Sequence, residues 1–484
     1  MDYLTYEAFG AKGDGVTDDM PAIVACHNYA NRHRLEVAAR DGAKYYIGGK
    51  ALTAEIKTNT HFGKAEFIID DRDLENIRQS CFHVCSDAAR FVPEIKTLSQ
   101  NAQKVEFPHE GNVYVRVFSD RKMVYIRKGL NQNNGTPASD CFLADAQGNV
   151  TGGINWDYKT VTSAYAFSTD DAPIVIEGGI FTTIANCRES KYNYHARNIH
   201  ITRSHVTLRD LTHNVEGEGD HGAPYSAFLS VEECCDVTLR DCLLTPHKTY
   251  YTESKLPGKM VGMGTYDLSA TAAINVHFIN IRQTRDIKDT TYWGLMGSNF
   301  CKELHLEHCV ISRFDAHCGV TNGSIRNCVL GHMGVNLIGF GEFLIENTEV
   351  YSDHFLAFRS DYGSFFHGTL TLRRCTWHLI RNGKGVQYVF HAKNAGDHDF
   401  GYVCGMPGTI TLDGLTIDDE HAAEDVLSYA ILPDYDPSFA PGRPYPYGTP
   451  SHVTAHVVSL AGKEIRLCEK PEQYPDLEKN AVEL

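Results

Sequence analysis

Two short segments concentrate side chains that can do chemistry: Arg313-Phe314-Asp315-Ala316-His317 and Arg359-Ser360-Asp361-Tyr362-Gly363. Glycoside hydrolysis needs two carboxyl groups. One protonates the leaving oxygen, and the other activates water or attacks carbon. Asp315 and Asp361 are therefore read as a catalytic pair. His317 lies two residues along the same strand face as Asp315 and is read as the group that orients it. Arg313 and Arg359 can bind hydroxyls or neutralise a carboxylate. The same residues also support β-elimination, with His317 or Tyr362 as base and an arginine facing a uronate. A structural ion pair between Arg313 and Asp315 competes with both assignments.

Residues this far apart in sequence act together only if the fold stacks them. The surrounding region repeats a short pattern: Val206-Thr207-Leu208-Arg209-Asp210-Leu211, Val237-Thr238-Leu239-Arg240-Asp241-Cys242, Leu304-His305-Leu306-Glu307-His308-Cys309, Ser324-Ile325-Arg326-Asn327-Cys328 and Leu370-Thr371-Leu372-Arg373-Arg374-Cys375. The step from Cys309 to Cys328 is 328 − 309 = 19 residues, and from Asn327 to Asn347 it is 347 − 327 = 20. That length suits one coil of three short strands in a β-solenoid and is too short for a βαβ unit. Asp210, Asp241, Asn280, Asn327 and Asn347 mark a turn that tolerates a left-handed backbone. Stacked amides there are expected to bond along the axis. Cys242, Cys309, Cys328 and Cys375 are read as small inward-facing core residues.

Aligned on that turn, the following segments are rich in His, Arg, Asp and Asn. They carry His213, Glu218, His221, His247, Arg282, Arg285, Asp286, Arg313, Asp315, His317, His332, Asn336, Arg359 and Asp361, with Trp293, Phe314, Tyr362 and Phe365 among them. Aromatic faces beside Arg and Asn suit sugars. The substrate-binding set is read as Arg313, Arg359, Arg282, Asp286, His332, Asn336, Trp293, Tyr362 and Glu218. Coils stack about 4.8 Å apart. Asp315 and Asp361, two coils apart, are expected roughly 9 to 10 Å from each other, near inverting geometry. Asp286 and Asp315, one coil apart, are expected at about 5 Å, near retaining geometry.

The ends of a solenoid need covering. Ala22, Ile23, Cys26 and Ala30 recur at helical spacing after a turn in which Thr17 or Asp18 can serve as cap, which predicts an N-terminal capping helix. Residues 1–70 are assigned to the cap and first coils. From 71 to 171 the repeat is lost. Val113-Tyr114-Val115-Arg116-Val117 and Met123-Val124-Tyr125-Ile126 alternate like hairpin strands, and Asn133-Asn134-Gly135 is a turn, so this part is read as an inserted antiparallel β subdomain. The main coils are assigned to 172–420, and a loop region and cap to 421–484.

The N-terminal run Phe9-Gly10-Ala11-Lys12-Gly13-Asp14-Gly15, with Thr17-Asp18-Asp19 and Ala22-Ile23, resembles the opening of pectate-lyase-like proteins related to the polygalacturonases (glycoside hydrolase family 28). The Asn-turn coils resemble the same superfamily. The resemblance implies an all-β solenoid, a right-handed single-stranded parallel β-helix. The polygalacturonase motifs do not carry over: Ser168-Thr169-Asp170-Asp171 precedes the main coils, Gly331-His332-Met333 is a partial match, and no Arg-Ile-Lys follows. Fold alone does not fix activity in such a superfamily.

Composition bounds the rest. A net charge of −16 argues against nonspecific nucleic-acid binding and anionic membranes. No apolar run reaches membrane-spanning length. The start Met1-Asp2-Tyr3-Leu4 lacks a signal-peptide pattern, so a cytoplasmic setting with reduced cysteines is expected. Cys81 and Cys85 have no second pair at zinc spacing, so neither metal nor cofactor is expected. The reading is a glycoside hydrolase acting on an oligosaccharide, anionic ones included. Uronate elimination and glycan binding without catalysis are the alternatives.

Overall fold

The computed structural model describes residues 3–124, 135–359, 365–380, 383–392, 404–422, 424–435 and 447–477. Its main body is a stack of coils whose strands pair in parallel with the coil before and after. One column shows the register. Leu208, Leu239, Phe278, Leu306, Ile325, Ile345, Leu372, Leu412 and Ala455 are successive Cα partners on adjacent coils. Each is at most 1 % exposed. Inward and outward residues alternate along each strand, so this column builds a continuous apolar core. Each buried side chain of this size contributes about 1.5–3 kcal/mol relative to exposure.

The turn after this column explains the repeat. Asp210, Asp241, Asn280, Asn327 and Asn347 all take positive φ, between 47° and 59°. His308 and Arg374 do so as well. Asn280 Nδ2 donates to Asp241 Oδ1 at 2.7 Å, and Asn347 Nδ2 to Asn327 Oδ1 at 3.1 Å, linking coil to coil. Just past the turn, Cys242, Cys309, Cys328 and Cys375 are at most 2 % exposed. They fill small inward slots.

Beyond the turn the second column runs through Thr212–Glu216, Leu243–Leu244, Arg282–Gln283, Val310–Asp315 and Val329–Leu337. A third holds Ala54–Ile56, Phe82–Val84, Ile199–Ile201, Leu229–Glu232, Leu268–Thr271 and Met296–Asn299. The corner between the second and third columns accommodates long loops, and these carry the candidate chemistry.

The helix Met20–His33 buries Met20, Ile23, Cys26, His27 and Ala30 against the first coils. Asp19 is its N-cap residue rather than Thr17 or Asp18. The Asp19 carboxylate accepts the amides of Lys12 and Gly13 at 2.6 and 2.9 Å, fastening the preceding loop.

Two boundaries differ from the pattern-based assignment. Phe82–Val84 pairs in parallel with Ala54–Ile56 and Ile199–Ile201, so the coils continue past residue 71. The antiparallel unit follows, with strands Val113–Val124, Thr136–Ala144, Val150–Thr151 and Ser163–Ser168. Its predicted turn at Asn133-Asn134 lies outside the described residues. At the other end, Thr409–Asp418 pairs in parallel with His452–Ser459, so coils also extend past residue 420. In both places a long connection between strands masks the period. The inserted unit docks through Trp156 against Phe340 and Phe365 and through a buried Lys302–Asp140 ion pair at 2.6 Å.

Candidate active site along one corner

Asp315 ends the strand Val310–Asp315 and turns into the corner. Its side chain is fully buried. Arg313 donates to Oδ2 at 2.6 Å, Arg359 to Oδ1 at 2.7 Å and Oδ2 at 3.0 Å, and the Tyr266 hydroxyl to Oδ2 at 3.3 Å. Burial alone would raise its pKa. Arg313 first, then Arg359 and His317, more than offset this and hold it at about 2. A sealed carboxylate at that pKa donates no proton near neutrality, and both its oxygens are already engaged. Asp315 thus orients two guanidiniums, the geometry of the structural ion pair that competes with its place in a catalytic pair.

The other expected site residues fall into separate places. Asp361 and Tyr362 lie outside the described residues. The Arg313 guanidinium stands 4.9 Å from the Trp293 ring. Asn336 is the cross-coil partner of Asp315 and donates to the Met333 carbonyl at 3.0 Å. His317 is half-buried and shares a hydrogen bond with Asn299 Oδ1 at 3.0 Å. His332 is half-buried on the strand Val329–Leu337. Arg282 and Asp286 are exposed: Arg282 donates to Asn280 Oδ1 at 3.2 Å, and Asp286 accepts the Lys288 amide at 2.9 Å. Asp286 therefore faces solvent while Asp315 is enclosed.

A second buried cluster occupies the same corner on earlier coils. Asp267, fully buried, shares a hydrogen bond with His213 Nδ1 at 2.9 Å and accepts the Thr245 amide at 2.8 Å. His247 lies between Asp267, 3.7 Å from its Nε2, and Glu218, 3.2 Å from its Nδ1. Burial pushes the imidazole down, but hydrogen bonds and charge from Asp267 and Glu218 raise its pKa to about 9. Burial likewise opposes ionisation of Asp267, and His213 and His247 bring it to about 2. Glu218, His213 and His247 were visible in the turn-aligned sequence. Asp267 was not, because it follows the long loop 245–267 at no fixed spacing.

Above this cluster the corner opens into a groove lined by Glu189, Ser190, Lys191, Tyr192, Asp220, His221, Tyr251, Thr252, Glu253 and Met260. Tyr192 and Tyr251 are 52 % and 58 % exposed and place aromatic surface along the groove. Asp220 and Glu253 are exposed carboxylates in the same groove. Lys191 pairs with Glu189 at 2.7 Å. The turn-aligned sequence pointed to this loop through Glu218 and His221, and Asp220 lies between them. Tyr192, Tyr251 and Glu253 sit in loops that carry no repeat signal.

No family model matches the chain, and no curated protein matches it in sequence. Solved structures match in shape. The Pseudomonas phage phi297 tailspike gp61 aligns with a TM-score of 0.59 at 12 % identity, covering 98 % of this chain and 84 % of that one. The Gp54 tailspike of Acinetobacter baumannii bacteriophage AP22, in complex with A. baumannii capsular saccharide, aligns at 0.48 with 8 % identity over 99 % and 79 % of the two chains. The endo-xylogalacturonan hydrolase of Aspergillus tubingensis aligns at 0.36 with 12 % identity over 100 % and 98 %. Parallel pairing from coil to coil, the left-handed turn ladder and the tailspike likeness together make this chain a right-handed parallel β-helix with a helical cap and an inserted antiparallel unit.

Proposed function

We propose that the chain is a carbohydrate-active enzyme that hydrolyses a glycosidic bond of an oligosaccharide or polysaccharide held along the corner loops. The observation that carries this reading is the groove lined by the exposed Tyr192 and Tyr251 and by three exposed carboxylates, of which Asp220 and Glu253 remain once Glu189 pairs with Lys191. Sugar rings pack on aromatic faces, and polar side chains fix their hydroxyls. One carboxyl group then protonates the leaving oxygen and the other activates water or attacks the anomeric carbon. Asp220 and Glu253 take these roles here in place of Asp315, whose oxygens are engaged by Arg313, Arg359 and Tyr266.

Elimination is the weaker reading at this groove. It needs a cation to neutralise the uronate carboxylate. Glu189, Asp220 and Glu253 outnumber the single lysine of the lining, and that lysine is paired.

The test is a glycan panel with reducing-end and absorbance detection of products. Hydrolysis gives new reducing ends without the absorbance of an unsaturated sugar. Asp220→Asn and Glu253→Gln should each lower turnover by about 10²–10⁴-fold, the usual contribution of a positioned acid or base, while circular dichroism stays unchanged. Turnover within twofold of wild type in both variants would remove the assignment. Glycan capture without any product would leave a binding protein.

A further inference from the structure

The groove is formed by three loops from consecutive coils, and a short relay of buried charge joins two of them. Glu218 Oε1 accepts from the Lys248 amide at 3.1 Å, from His247 Nδ1 at 3.2 Å and from the Tyr250 hydroxyl at 3.3 Å. The Lys248 ammonium reaches back to the carbonyls of Glu218 and Gly219, each at 3.3 Å. Every one of these contacts crosses from the 217–221 loop to the 247–250 segment. Tyr250 is also the first residue of the hairpin formed by Tyr250–Glu253 and Met260–Met263. Asp220 follows Glu218 by two residues, and Tyr251 follows Tyr250 by one.

His247 is held from all sides. The Tyr225 ring stacks on it at 4.6 Å and 14°. Glu218 faces Nδ1 and Asp267 faces Nε2. Asp267 is itself fixed by His213, whose ring stacks on Phe228 at 3.7 Å. Glu218 lies at hydrogen-bond distance from Nδ1 and the Asp267 carboxylate 3.7 Å from Nε2, so a negative charge on each side of the ring favours the cation. Removing the proton leaves one buried carboxylate facing a lone pair. The charged and titratable groups around the ring are Glu218, Asp267, Tyr225, Tyr250 and Lys248, with His213 behind Asp267.

We propose that Glu218, His247 and Asp267 form a positioning latch that holds the loop carrying Asp220 and His221 against the hairpin carrying Tyr251 and Glu253; this rests on reading that groove as the glycan site. None of the three touches substrate. They fix the distance between these two of the groove's loops, and thereby between Asp220 and Glu253.

Hydrogen exchange of the intact protein, without any glycan, tests the latch directly. Glu218→Gln and His247→Gln should each raise exchange of 217–222 and 248–254 by about tenfold or more, with the strand Cys301–Glu307 unchanged. In the wild type, protection of these loops, corrected for base-catalysed exchange, should fall as pH rises through about 9, and the His247→Gln variant should lack that step. The sign follows from a folded pKa raised above the usual 6.5: the contribution is complete below about 6.5 and is lost as the folded group deprotonates. Unchanged loop exchange in both glutamine variants, or a wild-type profile with no step, overturns the latch. Should a glutamine variant fail to fold, Lys248→Met removes only the two ammonium contacts and must still loosen the 217–222 segment. A wild type that cleaves no glycan while showing the exchange step fails the groove assignment and leaves the latch standing. A wild type that cleaves, with variants of unaltered KM, kcat and exchange, fails the latch alone.

Discussion

Charged columns run along two parts of this solenoid and behave differently. On the outer face of the first column, Glu307, Arg326, Glu346, Arg373 and Asp413 are cross-coil partners of alternating sign. Arg326 and Arg373 approach Glu346 at 3.6 and 3.5 Å, and Arg373 approaches Asp413 at 3.3 Å. Most of these side chains are two-fifths or more exposed. At the corner, Arg313, Asp315, His247 and Asp267 are all nearly sealed from solvent. The first column shows how alternating charge lets coils stack without repulsion. The second shows charge placed where its desolvation must be offset by specific partners, so losing one partner costs far more.

Three measurements test that contrast. The largest effect is expected from Asp315→Asn, which leaves two buried guanidiniums short of their anion. It should cost about 3–5 kcal/mol, read as a lower urea midpoint. The pH dependence sharpens this. Asp315 has a folded pKa near 2, below the usual carboxylate value, so its contribution is present above about pH 4 and fades as pH falls toward 2. Wild type and variant should converge in acid, and a gap that stays constant down to pH 2 would contradict the electrostatic account. A middle effect belongs to the turn ladder. Asn327→Ala keeps φ at 53° but loses a residue suited to it, and should cost about 1–2 kcal/mol by the same unfolding assay. The smallest is Arg326→Ala on the outer column, at about 0–1 kcal/mol and weaker still in high salt. If Arg326→Ala were as costly as Asp315→Asn, the distinction between the columns would collapse.

The sequence made the coils legible because their signals are local. The left-handed turn selects Asn and Asp, the slot after it selects Cys, and the strands alternate. Asp210, Asn280, Asn327, Cys309 and Cys328 all sit where those rules place them. Coils at Phe82–Val84 and His452–Ser459 were hidden because each strand follows a long connection, and the first is also short. The corner was legible only in part. Alignment on the turn found His213, Glu218, His247, Arg313 and Asp315, since each lies within a few residues of it. It left out Asp267, Tyr251 and Glu253, which follow loops of irregular length. Pattern also says nothing of burial: Asp315 and Asp286 look alike in sequence, yet one is sealed and the other exposed.

The irregular loop length has a consequence of its own. Residues 245–267 leave the rod and return to it without disturbing the pairing of Leu243–Leu244 or Leu268–Thr271 with their neighbours. The outer hairpin, residues 250–263, therefore stands apart from the strand pairing, while Thr245, His247 and Asp267 anchor its base. Length or sequence can thus be altered at the tip of the hairpin without breaking the register of the stacked coils.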